Sequence, residues 1–163
     1  MTLSQLLTPD LILPMSACSS KDELITALVD RVYSTGRELP LPSNDILKSI
    51  HIREEIGGTL LPSGLSVPHA RLRDYDGFII AVGIPAAPLL GDGAKTPGPG
   101  RGGVPLCMMA LMISSQSGGP HYLTSLAALT KISRDAEYFS RLCTAETPEA
   151  FISMLRERDT ELA

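Results

Sequence analysis

Apolar residues in the first third of the chain recur at helical spacing. Ser20 and Glu23 have the S-x-x-E spacing of a capping box, and the apolar positions that follow lie three or four residues apart. Gly36 can end this helix, because glycine readily adopts the backbone conformation that follows a last helical turn. The pattern therefore predicts a helix over about residues 21–35. A second helix is predicted from Ser43 to about residue 57.

Shorter apolar runs predict strands, at residues 11–13, 65–67, 78–84 and 104–113. The last run is continuously apolar, which is typical of a central strand covered on both faces. Pro68 has no N–H to donate, so strand 65–67 is expected to stop pairing there. Residues 85–103 are rich in glycine and proline and predict a surface loop.

The last third of the chain returns to helical periodicity. Apolar residues from Leu123 to Ile132 predict one helix, and residues 136–143 predict a shorter one. Thr147 is a suitable N-cap for a final helix that runs to about Arg158. Helices, strands and helices in this order predict an α/β fold, a three-layer sandwich in which helices cover both faces of a mixed central sheet. We expect one domain over residues 1–163.

Composition narrows the possible functions. Apolar residues make up 44% of the chain but aromatics only 4%, so the core must be aliphatic. The net charge is −4 and no dense Lys/Arg run occurs, which argues against a nucleic-acid or anionic-membrane partner. The longest apolar run is too short to span a bilayer, and the N-terminus lacks the basic segment of a signal peptide. A cytoplasmic protein with no inserted segment is expected.

The cysteines and histidines are the first candidates for chemistry. Cys18, Cys107 and Cys143 are far apart and form no C-x-x-C pair, which argues against a disulfide framework or a zinc site. Cys107 and Cys143 lie among apolar residues and are expected to be small buried hydrophobes. Of the three histidines, His51 and His121 have no distinctive neighbours from which chemistry could be inferred without further context.

His69 has the most informative context. It follows Pro68 at the end of a predicted strand, and open α/β sheets place their sites at the carboxyl ends of strands. A neutral imidazole is a competent nucleophile near neutral pH, because its ordinary pKa is about 6.5. It is also a good leaving group once phosphorylated, so His69 suits a group carrier.

A set of motifs around His69 resembles a known family. The matching stretches are Arg53-Glu54-Glu55, Gly58-Thr59, and Gly64-Leu65-Ser66-Val67-Pro68-His69-Ala70-Arg71. They resemble the type-2 enzyme IIA domains of the bacterial phosphoenolpyruvate-dependent phosphotransferase system, the fructose/mannitol group that includes the nitrogen-regulatory IIA proteins. The similarity continues through the strand at 104–113, the helix that opens at His121, and the terminal helix after Thr147.

The resemblance implies roles for four residues. His69 matches the phosphorylated histidine, and Arg53 matches an arginine beside it that can hold the phosphate. His121 matches a second histidine that faces the first, and Thr59 matches a threonine that supports the phosphate or the loop. The implied partners are an HPr-like phosphocarrier protein as donor and a IIB protein or domain as acceptor for sugar uptake. No cofactor and no metal are implied.

Alternatives remain open at this point. Arg53 could be a solvated charge at a helix end, and His121 an ordinary helix residue. Phosphorylation of His69 could instead switch binding to regulatory target proteins. A metal-dependent hydrolase that uses His69 and His121 has little support, because no H-E-x-x-H spacing occurs. Residues 60–63 lack the glycines usual in the family, which leaves open which partner protein docks. The sequence names neither the sugar, whose choice the resemblance assigns to a membrane component, nor the oligomeric state.

Overall fold

The computed structural model describes residues 1–90 and 104–159. Its helices are α1 (Leu3–Leu6), α2 (Lys21–Ser34), α3 (Ser43–Ile56), α4 (Gly119–Arg134), α5 (Ala136–Leu142) and α6 (Pro148–Arg156), with a short 3₁₀ helix at Pro9–Leu11. Its strands are β1 (Ile12–Ser16), β2 (Leu65–Ser66), β3 (His69–Leu72), β4 (Phe78–Pro85), β5 (Leu89–Leu90), β6 (Pro105–Leu106) and β7 (Met108–Ser115).

Five of the described strands form a mixed sheet around β7. Strand β4 pairs with β7 antiparallel, and β1 pairs with β4 parallel. On the other side of β7, both β2 and β3 pair with it in parallel, one after the other. Strands β5 and β6 form a separate two-stranded ribbon. The mixed sheet predicted from the sequence is confirmed.

Both faces of the sheet are buried by helices. Alternate residues of β7 point to opposite faces, because successive side chains of a strand do so. Met109, Leu111 and Ile113 pack with α2 and α3 in one aliphatic core. Met108, Ala110 and Met112 pack with α1, α4, α5 and α6 in the other. The predicted three-layer arrangement follows, and the continuous apolar run is explained by burial on both sides.

The sequence signals for helix ends are also confirmed. The Ser20 side chain accepts a hydrogen bond from the Glu23 amide, and the Thr147 side chain accepts one from the Ala150 amide. The chain leaves α2 through Gly36, whose φ of +80° is readily available to glycine. Helices α2, α3, α5 and α6 begin and end within about two residues of their predicted bounds.

The strand predictions need three corrections. Pro68 does not end the pairing: its carbonyl accepts a hydrogen bond from the Met112 amide, and His69 opens a new strand beside Met112. His69 therefore lies at the start of β3 and not at the carboxyl end of a strand. Proline lacks only the donor, so the ladder resumes one residue later.

The other two corrections concern the central strand and the loop. The central strand runs over Met108–Ser115, whereas Pro105–Leu106 pairs with Leu89–Leu90. Part of the predicted loop 85–103 is therefore ordered ribbon, with Leu89 buried. Residues 91–103 of that loop lie outside the described residues.

The three cysteines are partly exposed, and none of the described helices could span a membrane. Cys18, Cys107 and Cys143 are free thiols, and all three are half-buried. Cys107 and Cys143 pack as small hydrophobes, as expected, but part of each side chain stays exposed. The side chains of Cys107 and Cys143 pack against the core formed with α1, α4, α5 and α6. Across residues 1–90 and 104–159, no helix is both long and apolar enough to cross a membrane.

Candidate functional site

His69 lies on the face of the sheet that α4 covers. Its neighbour Ala70 packs into the α2/α3 core, so the side chains of His69 and Arg71 point to the opposite face. The imidazole is half-buried, whereas Arg71 is exposed. Among the described strands, β3 pairs only with β7, so His69 and Arg71 lie on an edge strand of the sheet.

Two side chains hold the imidazole ring of His69. The Ser114 hydroxyl of β7 is 2.6 Å from its Nε2. The Tyr122 ring of α4 stacks on it, with centroids 4.1 Å apart and planes 13° from parallel. The same Ser114 hydroxyl lies 3.0 Å from the Ser115 carbonyl, to which it can donate. A hydroxyl that donates to this carbonyl accepts a hydrogen bond from Nε2–H, so the free lone pair of the ring is on Nδ1. Nε2 becomes available to an incoming group only if its contact with Ser114 breaks.

The surroundings of His69 favour its neutral form. Burial lowers its pKa most, and the positive charges of Arg71 and Arg53 lower the pKa further, to about 4. A neutral ring keeps one nitrogen lone pair, which is the state that a nucleophile needs. The chemistry inferred from the sequence is thus supported, and the ring stays unprotonated well below neutral pH.

We expect an NMR titration to place the midpoint of His69 protonation near pH 4 and not near the ordinary value of 6.5. Arg71→Gln and Arg53→Gln should each raise the pKa, because each removes a positive charge. The unfolded chain binds this proton more tightly, so the free energy of unfolding should fall as pH decreases from about 6.5 to about 4. His69→Gln should remove that part of the pH dependence; an unshifted midpoint in the intact protein would contradict the argument.

Arg53 lies in the last turn of α3. Its guanidinium donates from Nη1 to the Gly57 carbonyl at 2.7 Å, which closes the helix end. After burial and Arg71, the positive charge of Arg53 is the third cause that lowers the pKa of His69. The contact at the helix end is therefore observed, and a role of Arg53 in holding the phosphate stays a prediction.

Thr59 belongs to a buried polar cluster behind the site. Its hydroxyl donates to Glu54 Oε1 at 3.1 Å and lies 3.2 Å from the Ser66 hydroxyl. The same Glu54 oxygen forms an ion pair with Lys21 of α2 at 2.6 Å, and both charged side chains are only 8% exposed. Thr59 therefore supports the loop that connects α3 to β2, and a contact with phosphate stays a prediction.

His121 lies in the first turn of α4, one residue before Tyr122. Its ring centroid is 6.1 Å from that of Phe78, which pairs in register with Ser114. His121 thus lies near Phe78, whose strand partner Ser114 contacts His69. The ring that stacks on His69 belongs to Tyr122 and not to His121. The facing role implied for His121 stays a prediction.

Sequence reasoning missed three neighbours of His69, namely Ser114, Tyr122 and Arg71. Arg71 was part of the matching motif but received no role, although an i, i+2 spacing on a strand places two residues on the same face. Tyr122 and Ser114 carried no signal, because a tyrosine in a helix and a serine at a strand end have many other uses. Their roles depend on the packing of α4 and β7.

The residues that the structure describes build no metal centre around His69. In the described part of the chain, no group of three or more His, Cys, Asp or Glu could hold a metal ion. An apolar cavity of about 540 Å³ lies near the other end of β7, where Cys107, Phe139 and Cys143 line it. The imidazole of His69 is half-buried, and the side chain of Arg71 beside it on the same face is exposed.

Comparison with known proteins adds a family match. The family model for the phosphoenolpyruvate-dependent sugar phosphotransferase system, EIIA 2, matches residues 5–158. The 2-O-alpha-mannosyl-D-glycerate-specific EIIABC component from Escherichia coli is 28% identical over 97% of this chain, which spans only 23% of that protein. A nitrogen regulatory protein from Pseudomonas aeruginosa is 26% identical, with 94% of both chains covered.

Solved structures share the fold. Nitrogen regulatory protein IIA-Ntr from Neisseria meningitidis superposes with a TM-score of 0.71 at 18% identity, covering 94% of this chain and 98% of that one. Enzyme IIAMTL in its complex with phosphorylated enzyme IIBMTL from Escherichia coli gives 0.69 at 14% identity, covering 93% and 98%.

Proposed function

The chain belongs to the EIIA 2 family of the phosphoenolpyruvate-dependent sugar phosphotransferase system, and from that premise we propose that it is a phosphoryl carrier that takes the phosphoryl group on His69. One observation carries the proposal: His69 is a neutral, half-buried imidazole beside the exposed Arg71, and the positive charges of Arg71 and Arg53 help to lower its pKa. The ring supplies the lone pair, and the arginines supply charge for the phosphoryl oxygens.

The transfer needs no co-reactant. The lone pair of an unprotonated nitrogen of His69 attacks phosphorus, and the N–P bond of the donor's phosphohistidine breaks. The donor ring takes back that electron pair, and each ring keeps its own N–H proton. Catalysis of such a step is mostly positioning and charge stabilisation. Ser114 and Tyr122 supply the positioning, because they hold the ring from its edge and from its face.

The proposed partners are those that the family resemblance implies. We propose that an HPr-like phosphocarrier donates the phosphoryl group and that a IIB protein or domain accepts it on the way to a sugar. A solved relative of this fold forms a complex with phosphorylated enzyme IIBMTL, which supports an acceptor of this class. The protein would act in the cytoplasm, where these carriers meet.

A regulatory role is the second candidate. A nitrogen regulatory protein from Pseudomonas aeruginosa is 26% identical to this chain, and the structure of nitrogen regulatory protein IIA-Ntr from Neisseria meningitidis shares its fold. In this role phosphorylation of His69 changes the charge of the face on which it lies, and thereby the binding of a target protein.

One experiment tests the carrier role and separates the two candidates. The protein is incubated with labelled phosphoenolpyruvate, enzyme I and HPr, and then with a purified IIB protein. We expect acid-labile, base-stable label on this chain, followed by its discharge to IIB. Label that IIB proteins do not remove, together with a partner that binds only one of the two phosphorylation states, would favour regulation. No labelling at all would refute both.

A further inference from the structure

Arg71 stands next to His69 on the same face of the same strand. The two residues are separated only by Ala70, which points to the opposite face. Residues i and i+2 of a strand lie about 6.6 Å apart along it, since each residue adds about 3.3 Å. A phosphoryl group on the imidazole is therefore within reach of a flexible arginine at this position.

Tyr122 contacts both side chains. Its ring stacks on His69, and the guanidinium carbon of Arg71 lies 5.8 Å from its centroid. This distance is within the range of a cation–π interaction. One aromatic ring from α4 thus orders the nucleophile and the cation together.

The guanidinium of Arg71 is available to an anion. It is exposed, and within residues 1–90 and 104–159 it forms no ion pair with a carboxylate. Arg53, in contrast, uses Nη1 to close its own helix end. After burial, Arg71 has the larger effect of the two charges on the pKa of His69.

We propose that Arg71 is a catalytic residue that binds the transferring phosphoryl group beside His69, and that Tyr122 is a positioning residue that orders both side chains. The proposal rests on the proposed phosphoryl-carrier function. The fork of donors on an arginine matches phosphoryl oxygens, and contacts that strengthen as charge spreads over those oxygens accelerate transfer. Arg71 and Arg53 would then hold the group together.

The test compares Arg71→Gln with Arg73→Gln, a matched loss of charge two residues further along, in the turn after β3. The rate of phosphorylation by phospho-HPr is measured over a range of HPr concentrations. We expect Arg71→Gln to reduce the maximal rate about 10- to 100-fold, and Arg73→Gln to stay within about twofold of wild type. Arg71→Lys should recover only part of the loss, because lysine lacks the fork.

The variants of Tyr122 test its positioning role. Tyr122→Phe keeps the stacking ring and should lose less of the maximal rate than Tyr122→Leu, which removes the ring and should also raise the pKa of His69 toward its ordinary value. Equal rates in Arg71→Gln and Arg73→Gln, with wild type phosphorylated, would overturn the role of Arg71. Equal rates in Tyr122→Phe and Tyr122→Leu would overturn that of Tyr122. A wild type that takes no phosphate would instead refute the carrier function.

Discussion

His69→Gln is expected to reduce phosphate incorporation from HPr to the background of the assay, a loss of at least roughly 10³-fold. Glutamine can replace the imidazole as a hydrogen-bond partner of Ser114, but its amide is not a nucleophile. The loss should therefore appear in a protein that still folds. Incorporation is measured with labelled phosphoenolpyruvate, and folding is checked by thermal unfolding of the same samples.

His51→Gln is the matched control for this variant. His51 lies on α3, where its Nδ1 is 3.5 Å from the Asp22 carboxylate. The same substitution there should leave incorporation unchanged within about twofold. Acid-labile label that persists in His69→Gln would show that another residue carries the phosphate, and the assignment of His69 would fail.

Lys21→Met is expected to lower the free energy of unfolding by about 3–5 kcal/mol, because it leaves the Glu54 carboxylate buried without its cation. The side chains of this ion pair are both 8% exposed, and Glu54 Oε2 already lacks a hydrogen-bond partner. Removing the remaining charge with Glu54→Gln in the Lys21→Met background should recover most of the loss, since glutamine keeps an acceptor for Thr59.

Urea denaturation of the single and double variants measures this effect. Lys48→Met, on the exposed face of α3, is the control and should change the free energy of unfolding by less than about 0.5 kcal/mol. A Lys21→Met protein as stable as the Lys48→Met protein would contradict a stabilising role for the buried pair. A double variant no more stable than Lys21→Met would show that lost packing, and not an unpaired charge, causes the destabilisation.

The helices and the layer order of this protein could be predicted from its sequence, for local reasons. A cap such as Ser20 or Thr147 acts within three residues, and a helical or strand period is visible in any short window. The continuous apolar run of β7 predicted a strand buried on both faces, which the two cores confirm. The short α1 and the 3₁₀ helix that follows it were missed, because each is too brief for a periodic signal.

His69 itself was also accessible from the sequence, through its chemistry and its motif. Its exact place was not: the strand resumes after Pro68 because the Pro68 carbonyl finds the Met112 amide on β7. That contact joins residues far apart in the chain, and no local pattern encodes it. The strand-end position predicted for the histidine was wrong for this reason.

What the sequence determined by itself is therefore the helices α2 to α6, the burial of β7 on both faces and the aliphatic character of the core, and it indicated His69 as the candidate nucleophile. Only the tertiary structure decided which side chains surround that histidine. Ser114 and Tyr122 reach it from a strand and a helix about 45 and 53 positions later in the chain. The low pKa of His69 depends on burial and on the charges of Arg71 and Arg53. Burial and distance are properties of the folded chain, and they keep this imidazole neutral further below neutral pH than an ordinary histidine.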